Sequence, residues 1–252
     1  MLGLSLRTAD IRELFKALLT EKKFTTINRE ASMTSLVGNT TIEIIGASFI
    51  ADEDSIFGDV NWDYVHREEE WYNSMSLNVN DIPGGAPKIW ASVASTKGLI
   101  NSNYGNLLYS KDNYFQFENV LNELKNNPAS RRAIAIYTRP QIWNEYNTDG
   151  MSDFICTNSV QYLIRNGDLQ CVVNMRSNDA WAGYRNDLQW QKHVQSKLAS
   201  ALGVGLGTIT WQVGSLHVYA SQYYLVDHFA RTGEINISKN EYVSRNPESS
   251  FR

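Results

Sequence analysis

The chain has 252 residues, 42% of them hydrophobic and 20% charged, a composition that suits one ordinary soluble fold with a sizeable core. Its formal net charge of -4 provides no overall basic surface for tracking a nucleic-acid backbone, so direct nucleic-acid binding is not expected, while a nucleotide monomer stays open as a ligand. The two cysteines, Cys156 and Cys171, are too few for a disulfide framework and lack metal-site spacing, which points to a reducing compartment, by default the cytoplasm (the host cytoplasm for a viral protein).

At the N-terminus, charges scattered through MLGLSLRTADIRELFKALL argue against a signal peptide or a membrane span. Thr8 or Asp10 can cap a helix there, with Ile11, Leu14, Phe15 and Leu18 as its apolar stripe. Residues 25–40 read as loosely structured. Thr41 to Ile50 is β-rich, Trp62 to Tyr72 and Tyr114 to Leu124 carry helical spacing, and Ala133 to Thr138 reads as a strand. From Ser159 to Ser177 two β-prone runs flank Asn166-Gly167, a pair suited to the positive φ angles of a tight hairpin turn. Cys156 lies just before the first run and Arg176 at the end of the second, so the hairpin can bring them together. Leu188 to Leu202 predicts a helix ended by Gly203, followed by a β-rich run over 208–213, a helix from about Tyr219 to Arg231, and a loose polar tail over 243–252. No repeat or linker divides the sequence, so a single α+β domain over residues 1–252 with an antiparallel sheet is expected.

A cysteine at a strand edge is usually structural, but a guanidinium nearby makes a thiol a better nucleophile, and Arg176 is the candidate to supply it. Cys171, mid-strand in LQCVVNM, reads as core. Arg131 and Arg132 are either solvated surface or, if near Arg176, part of a phosphate site, since guanidinium forks match phosphate oxygens. Of Glu68, Glu69 and Glu70, at least one must face away from any site and one can point inward. Asp179 and Asp187 bracket residues 180–186 and suit either a base edge or helix capping. His217 and Tyr219, two apart on an extended segment, share a side and can grip a sugar hydroxyl, a core histidine being the alternative. His66, His193 and His228 lie on separate helices without a second ligand at metal spacing, so no metal is assigned. The run Gly203 to Gly207 follows a helix and precedes a strand, the reverse of a dinucleotide fingerprint, and reads as a turn.

Nine ordered segments together resemble the thymidylate synthase superfamily, and within it the phage deoxycytidylate hydroxymethylases: IEIIGASF (42–49), REEEWY (67–72), KIW (88–90), NSNYG (101–105), SRRAIAIYTRP (130–140), DGMSDFICTNSVQYLIR (149–165), NMRSND (174–179), GYRNDLQWQK (183–192) and GSLHVY (214–219). The resemblance implies a layered α+β fold with a mixed or antiparallel sheet at a homodimer interface, and active sites shared between subunits. It assigns Arg131 and Arg132 to the phosphate of the partner subunit's nucleotide, Arg176 and Ser177 to phosphate within the subunit, and His217 and Tyr219 to the deoxyribose 3'-hydroxyl. Asp179 and Trp90 then face 5,10-methylenetetrahydrofolate.

The implied chemistry begins with Cys156 adding to carbon 6 of the pyrimidine, which makes carbon 5 nucleophilic toward the folate methylene. Water then adds to the exocyclic methylene left when tetrahydrofolate departs, with Glu68 positioning water and moving protons. Asp187 stands where thymidylate synthases carry asparagine. A carboxylate accepts from the 4-amino group of cytosine and supports N3 as it gains a proton, so dCMP is the expected nucleotide. Thr157 replaces the histidine usual after the nucleophile, and the terminus NPESSFR lacks the family's apolar tail. Leu36 stands at the loop arginine that contacts phosphate in thymidylate synthases, with Arg29 as a candidate substitute.

Overall fold

The computed structural model describes residues 5–26 and 40–251; Arg29 and Leu36 lie outside them. In chain order the elements are β1 (Leu6–Arg7), α1 (Thr8–Thr20), β2 (Thr25–Thr26), β3 (Thr40–Ile50), α2 (Trp62–Ser74), α3 (Lys88–Val93), α4 (Tyr104–Tyr109), α5 (Gln116–Asn126), β4 (Ile134–Ile136), α6 (Ile142–Glu145), β5 (Thr157–Arg165), β6 (Asp168–Asp179), α7 (Ala182–Leu202), β7 (Gly205–Tyr219), α8 (Tyr223–Thr232) and α9 (Lys239–Arg245). The strands form one sheet in the order β1-β3-β7-β6-β5-β4, with β2 pairing β3. It is mixed rather than purely antiparallel, because β1 runs parallel to β3 with Leu6 opposite Phe49. No helix among the described residues is long and apolar enough to cross a membrane.

The described residues gather into two compact units. The first draws on Met1–Val60, Ser177–Gln189 and Trp211–Arg252, the second on Asn61–Arg176 and Trp190–Thr210. In the first unit α1 packs on β3 and α8 through Ile11, Phe15 and Leu19, with Thr8 and Arg12 also buried. The predicted stripe is rotated: Leu14 is 40% exposed and Leu18 only half-buried. Arg12 takes the inward position because all three guanidinium nitrogens donate, to Glu53 at 2.7 and 2.9 Å and to the carbonyls of Ser55 and Ile56, so a charge occupies a place that a hydrophobic pattern assigns to leucine.

In the second unit the hairpin forms as the sequence predicts. Arg165 pairs with Asp168 across Asn166 (φ 56°) and Gly167 (φ 87°), the two left-handed residues of a tight turn. Cys171 is fully buried within β6. Gly203 (φ 68°) ends α7, but Gly205 and Gly207 are strand residues rather than turn residues. A Cβ at Gly205 would meet Asp168 Oδ1 at 2.2 Å, and one at Gly207 would meet the Gln170 amide at 2.4 Å, so these glycines admit side chains of the neighbouring strand. The C-terminal stretch is more ordered than predicted: α9 is capped by Ser238, whose hydroxyl accepts from the Glu241 N–H at 3.2 Å.

Candidate active site

In the second unit, Cys156 sits immediately before β5, where the strand register sets it beside the end of β6. Thr157 pairs with Met175, and the Arg176 N–H donates to the Cys156 carbonyl at 2.9 Å. The Arg176 side chain folds back over this junction. Its guanidinium donates to the carbonyls of Ile155 (3.0 Å) and Phe154 (2.6 Å), lies 4.9 Å from the Phe154 ring centroid, and brings Nη2 to 3.4 Å from the Cys156 sulfur. Two carbonyls and an aromatic face thus hold a permanent positive charge against a half-buried thiol, which itself donates to the Phe154 carbonyl at 3.7 Å.

Glu68 points inward from α2, while Glu70 is exposed and Glu69 pairs with His193 at 2.9 Å. One carboxylate oxygen of Glu68 accepts from the Tyr64 hydroxyl at 2.5 Å and the Trp90 indole N–H at 3.2 Å; that N–H also reaches the Tyr64 oxygen at 2.8 Å. Burial pushes the Glu68 carboxyl above its ordinary value, and hydrogen bonds from Tyr64, Trp90 and Tyr72 offset part of that rise. A buried carboxyl tuned upward by desolvation and held by hydrogen-bond donors suits an acid–base role. Tyr64 escaped the sequence reading, although its i, i+4 spacing to Glu68 on one helix was a usable signal.

Arg131 and Arg132 lie just before β4, both exposed. Arg132 pairs with Glu123 at 3.2 Å, and the Arg131 carbonyl accepts from the Gln161 amide at 2.8 Å. Thr157 is buried with its hydroxyl oxygen unpartnered.

The first unit holds the remaining candidates. Asp179 caps α7, accepting the N–H groups of Trp181 (3.0 Å) and Ala182 (3.1 Å), which is why that helix starts at Ala182 instead of Leu188. Burial raises the Asp179 carboxyl, and His217 pulls it partly back. Asp187 lies further along α7, half-buried, and Asn178 donates to it at 2.7 Å. On β7, His217 is buried and packs edge-on against the Tyr219 ring with centroids 4.9 Å apart, so the pair does share a face. Ser215 Oγ lies 3.3 Å from His217 Nδ1 and donates to Glu43. Ser177 is half-buried. Asn178, invisible among its polar neighbours in NMRSND, is the second residue that sequence reasoning missed; alternation along β6 turns it away from Ser177 and Asp179.

Residues 56–242 match the thymidylate synthase family model. The chain belongs to the thymidylate synthase family. Within this family it is 53% identical to the deoxycytidylate 5-hydroxymethyltransferase of Enterobacteria phage T4, over 97% of this chain and 99% of that protein. A 53% identity also relates it to the phage T2 protein of the same name, over 96% of this chain and 98% of that protein. The thymidylate synthase of Bacillus subtilis subsp. natto is 31% identical over 64% of this chain and 58% of its own length. In three dimensions the thermostable thymidylate synthase A from Bacillus subtilis shares the fold, with a TM-score of 0.63, 23% identity and coverage of 87% of this chain and 83% of that one. The thymidylate synthase-like α+β fold expected from the segments is therefore the fold observed.

Proposed function

We propose that this protein transfers a hydroxymethyl group from 5,10-methylenetetrahydrofolate and water to carbon 5 of dCMP, giving 5-hydroxymethyl-dCMP and tetrahydrofolate. The observation that carries the reaction class is the Cys156 sulfur held 3.4 Å from the Arg176 guanidinium. Cys156 thiolate adds to carbon 6, and the electron pair that moves to carbon 5 attacks the folate methylene. Loss of the carbon 5 proton and departure of tetrahydrofolate leave an exocyclic methylene. Water adds there and gives up a proton, and the electron pair this places on carbon 5 expels the thiolate from carbon 6 and restores the aromatic base. Glu68, with its raised carboxyl, handles water and protons through these steps.

Substrate choice rests on Asp187, whose acceptor oxygens suit the 4-amino group of cytosine and oppose the O4 acceptor of uracil. The names of the phage relatives, matched over nearly the whole chain, support the same nucleotide. Ser177, His217 and Tyr219 serve phosphate and sugar, and the half-buried Trp90 indole and Asp179 carboxylate offer the folate an aromatic surface and an acceptor. The enzyme acts as a homodimer in which Arg131 and Arg132 reach the partner's nucleotide phosphate. Supporting this, both arginines are exposed, and the adjacent β4 leaves Ile134 40% and Ile136 57% exposed, as a surface covered by a second copy would.

Incubating the protein with dCMP or dUMP, methylenetetrahydrofolate and water labelled with heavy oxygen, followed by mass analysis, tests the reading. The expected product is dCMP heavier by CH2O with the label in the new hydroxyl. Methylated dUMP as the main product would overturn it.

A further inference from the structure

Asp187 is joined to the interior of its unit through a chain of side chains. Asn178, the penultimate residue of β6, is 3% exposed, and its Nδ2 donates to Asp187 Oδ2 at 2.7 Å. Its Oδ1 accepts at 3.3 Å from the indole Nε1–H of Trp211, which is fully buried. An indole nitrogen can only donate, so Trp211 dictates which end of the amide is oxygen and turns the NH2 group toward the carboxylate. Gly183 passes close by. A Cβ there would come within 3.0 Å of Asn178 Nδ2 and 3.7 Å of Asp187 Oδ2, so the first turn of α7 leaves this pair just enough room.

We propose that Asn178 is the positioning residue for Asp187, and that the relay from Trp211 through Asn178 to Asp187 sets the discrimination between cytosine and uracil. This rests on the reading of Asp187 as the group that meets the pyrimidine edge. An aspartate rotates broadly about its terminal torsion, and its two oxygens are chemically alike. A donor fixed on one oxygen from a buried, oriented amide fixes the carboxylate plane, and with it the direction of the acceptor lone pairs that a cytosine amino group must find. The donor is a neutral amide, so this contact itself adds no charge. Loss of that donor costs alignment, and alignment is worth most for the nucleotide that hydrogen-bonds to the carboxylate.

The test measures kcat/KM with dCMP and with dUMP for the wild type, Asn178→Ala, Asp187→Asn and the double variant. Asn178→Ala is expected to lower kcat/KM for dCMP about tenfold or more, with a much smaller change for dUMP, and to have less than about a threefold further effect in the Asp187→Asn background, because residues acting through one another are not additive. An equal loss for both nucleotides, or the same loss in both backgrounds, would overturn the positioning role. Trp211→Phe keeps the ring and removes only the N–H, so it gives a second reading if Asn178→Ala folds poorly. The dCMP preference should fall in this variant as well, and an unchanged preference counts against the relay. Failure of the underlying reading looks different: Asp187→Asn alone would then leave the dCMP to dUMP ratio where it was.

Discussion

The Arg176 guanidinium lies against the Cys156 sulfur at 3.4 Å because the carbonyls of Phe154 and Ile155 hold it there, not because the sulfur alone attracts it. The charge is thus preorganised before any substrate binds. Cys156→Ser should abolish turnover, by about 10⁴-fold or more, while leaving dCMP affinity measurable by calorimetry, since the nucleophile is lost and the pocket is not. Arg176→Lys keeps the charge but not the planar fork that spans two carbonyls and the thiol, so a fall of about 10- to 100-fold in kcat/KM is expected from steady-state rates. Wild-type rates for Arg176→Lys would remove the guanidinium from the account.

Glu68 links catalysis to stability. Burial raises its carboxyl above the ordinary 4.5, so the folded state binds the proton more tightly than the unfolded state does. The stabilisation this brings is fully present below about pH 4.5 and is lost as pH rises through the higher folded-state value. Glu68→Gln removes that loss. Thermal melts across pH 4 to 9 should therefore show the variant gaining on the wild type as pH rises, while its turnover drops about 10²- to 10⁴-fold. Parallel melting curves at every pH would contradict the raised carboxyl.

Much of this arrangement was legible in the sequence, for local reasons. The Asn166-Gly167 turn has two residues at positive φ and sets the pairing from Arg165–Asp168 to Ser159–Asn174, so the hairpin is legible; the one-residue shift between Thr157 and Ser159 that finally brings Cys156 beside Arg176 is not. The inward Glu68 was narrowed to one of three glutamates by helical geometry. What stayed hidden depends on long-range partners. The inward turn of Arg12 follows from Glu53 and two carbonyls across the unit, which a hydrophobic pattern does not encode. Asn178 was illegible for the same reason: its importance lies in Trp211 and Asp187, 33 and 9 positions away along the chain.

Gly105 makes a packing prediction independent of chemistry. It lies on α4 where that helix crosses α2, and a Cβ there would sit 1.8 Å from the Tyr72 carbonyl oxygen and 2.4 Å from its carbon. Backbone cannot step aside as a flexible side chain can. Gly105→Ala should destabilise the fold by about 3 kcal/mol despite the better helix propensity of alanine, measurable by denaturant midpoint. A neutral or stabilising result would mean that α4 and α2 do not approach as closely as described.

Trp90 carries two roles that substitution can separate. Its ring is offered to folate under the proposed function, whereas its N–H is shared between Tyr64 and Glu68 at 2.8 and 3.2 Å. Trp90→Phe keeps an aromatic surface and removes the N–H. The hydrogen bond from Trp90 favours the charged form of Glu68, so its loss should drive that carboxyl higher still and move the limb of the kcat profile governed by Glu68 toward higher pH, with the KM for folate held within about threefold. Trp90→Ala removes the ring as well, and a rise of about tenfold or more in the folate KM is expected on top of the same pH shift. If Trp90→Phe moved the folate KM as far as Trp90→Ala while leaving the pH profile in place, the indole would be a folate contact alone, and its hydrogen bond to Glu68 would have no part in tuning the carboxyl.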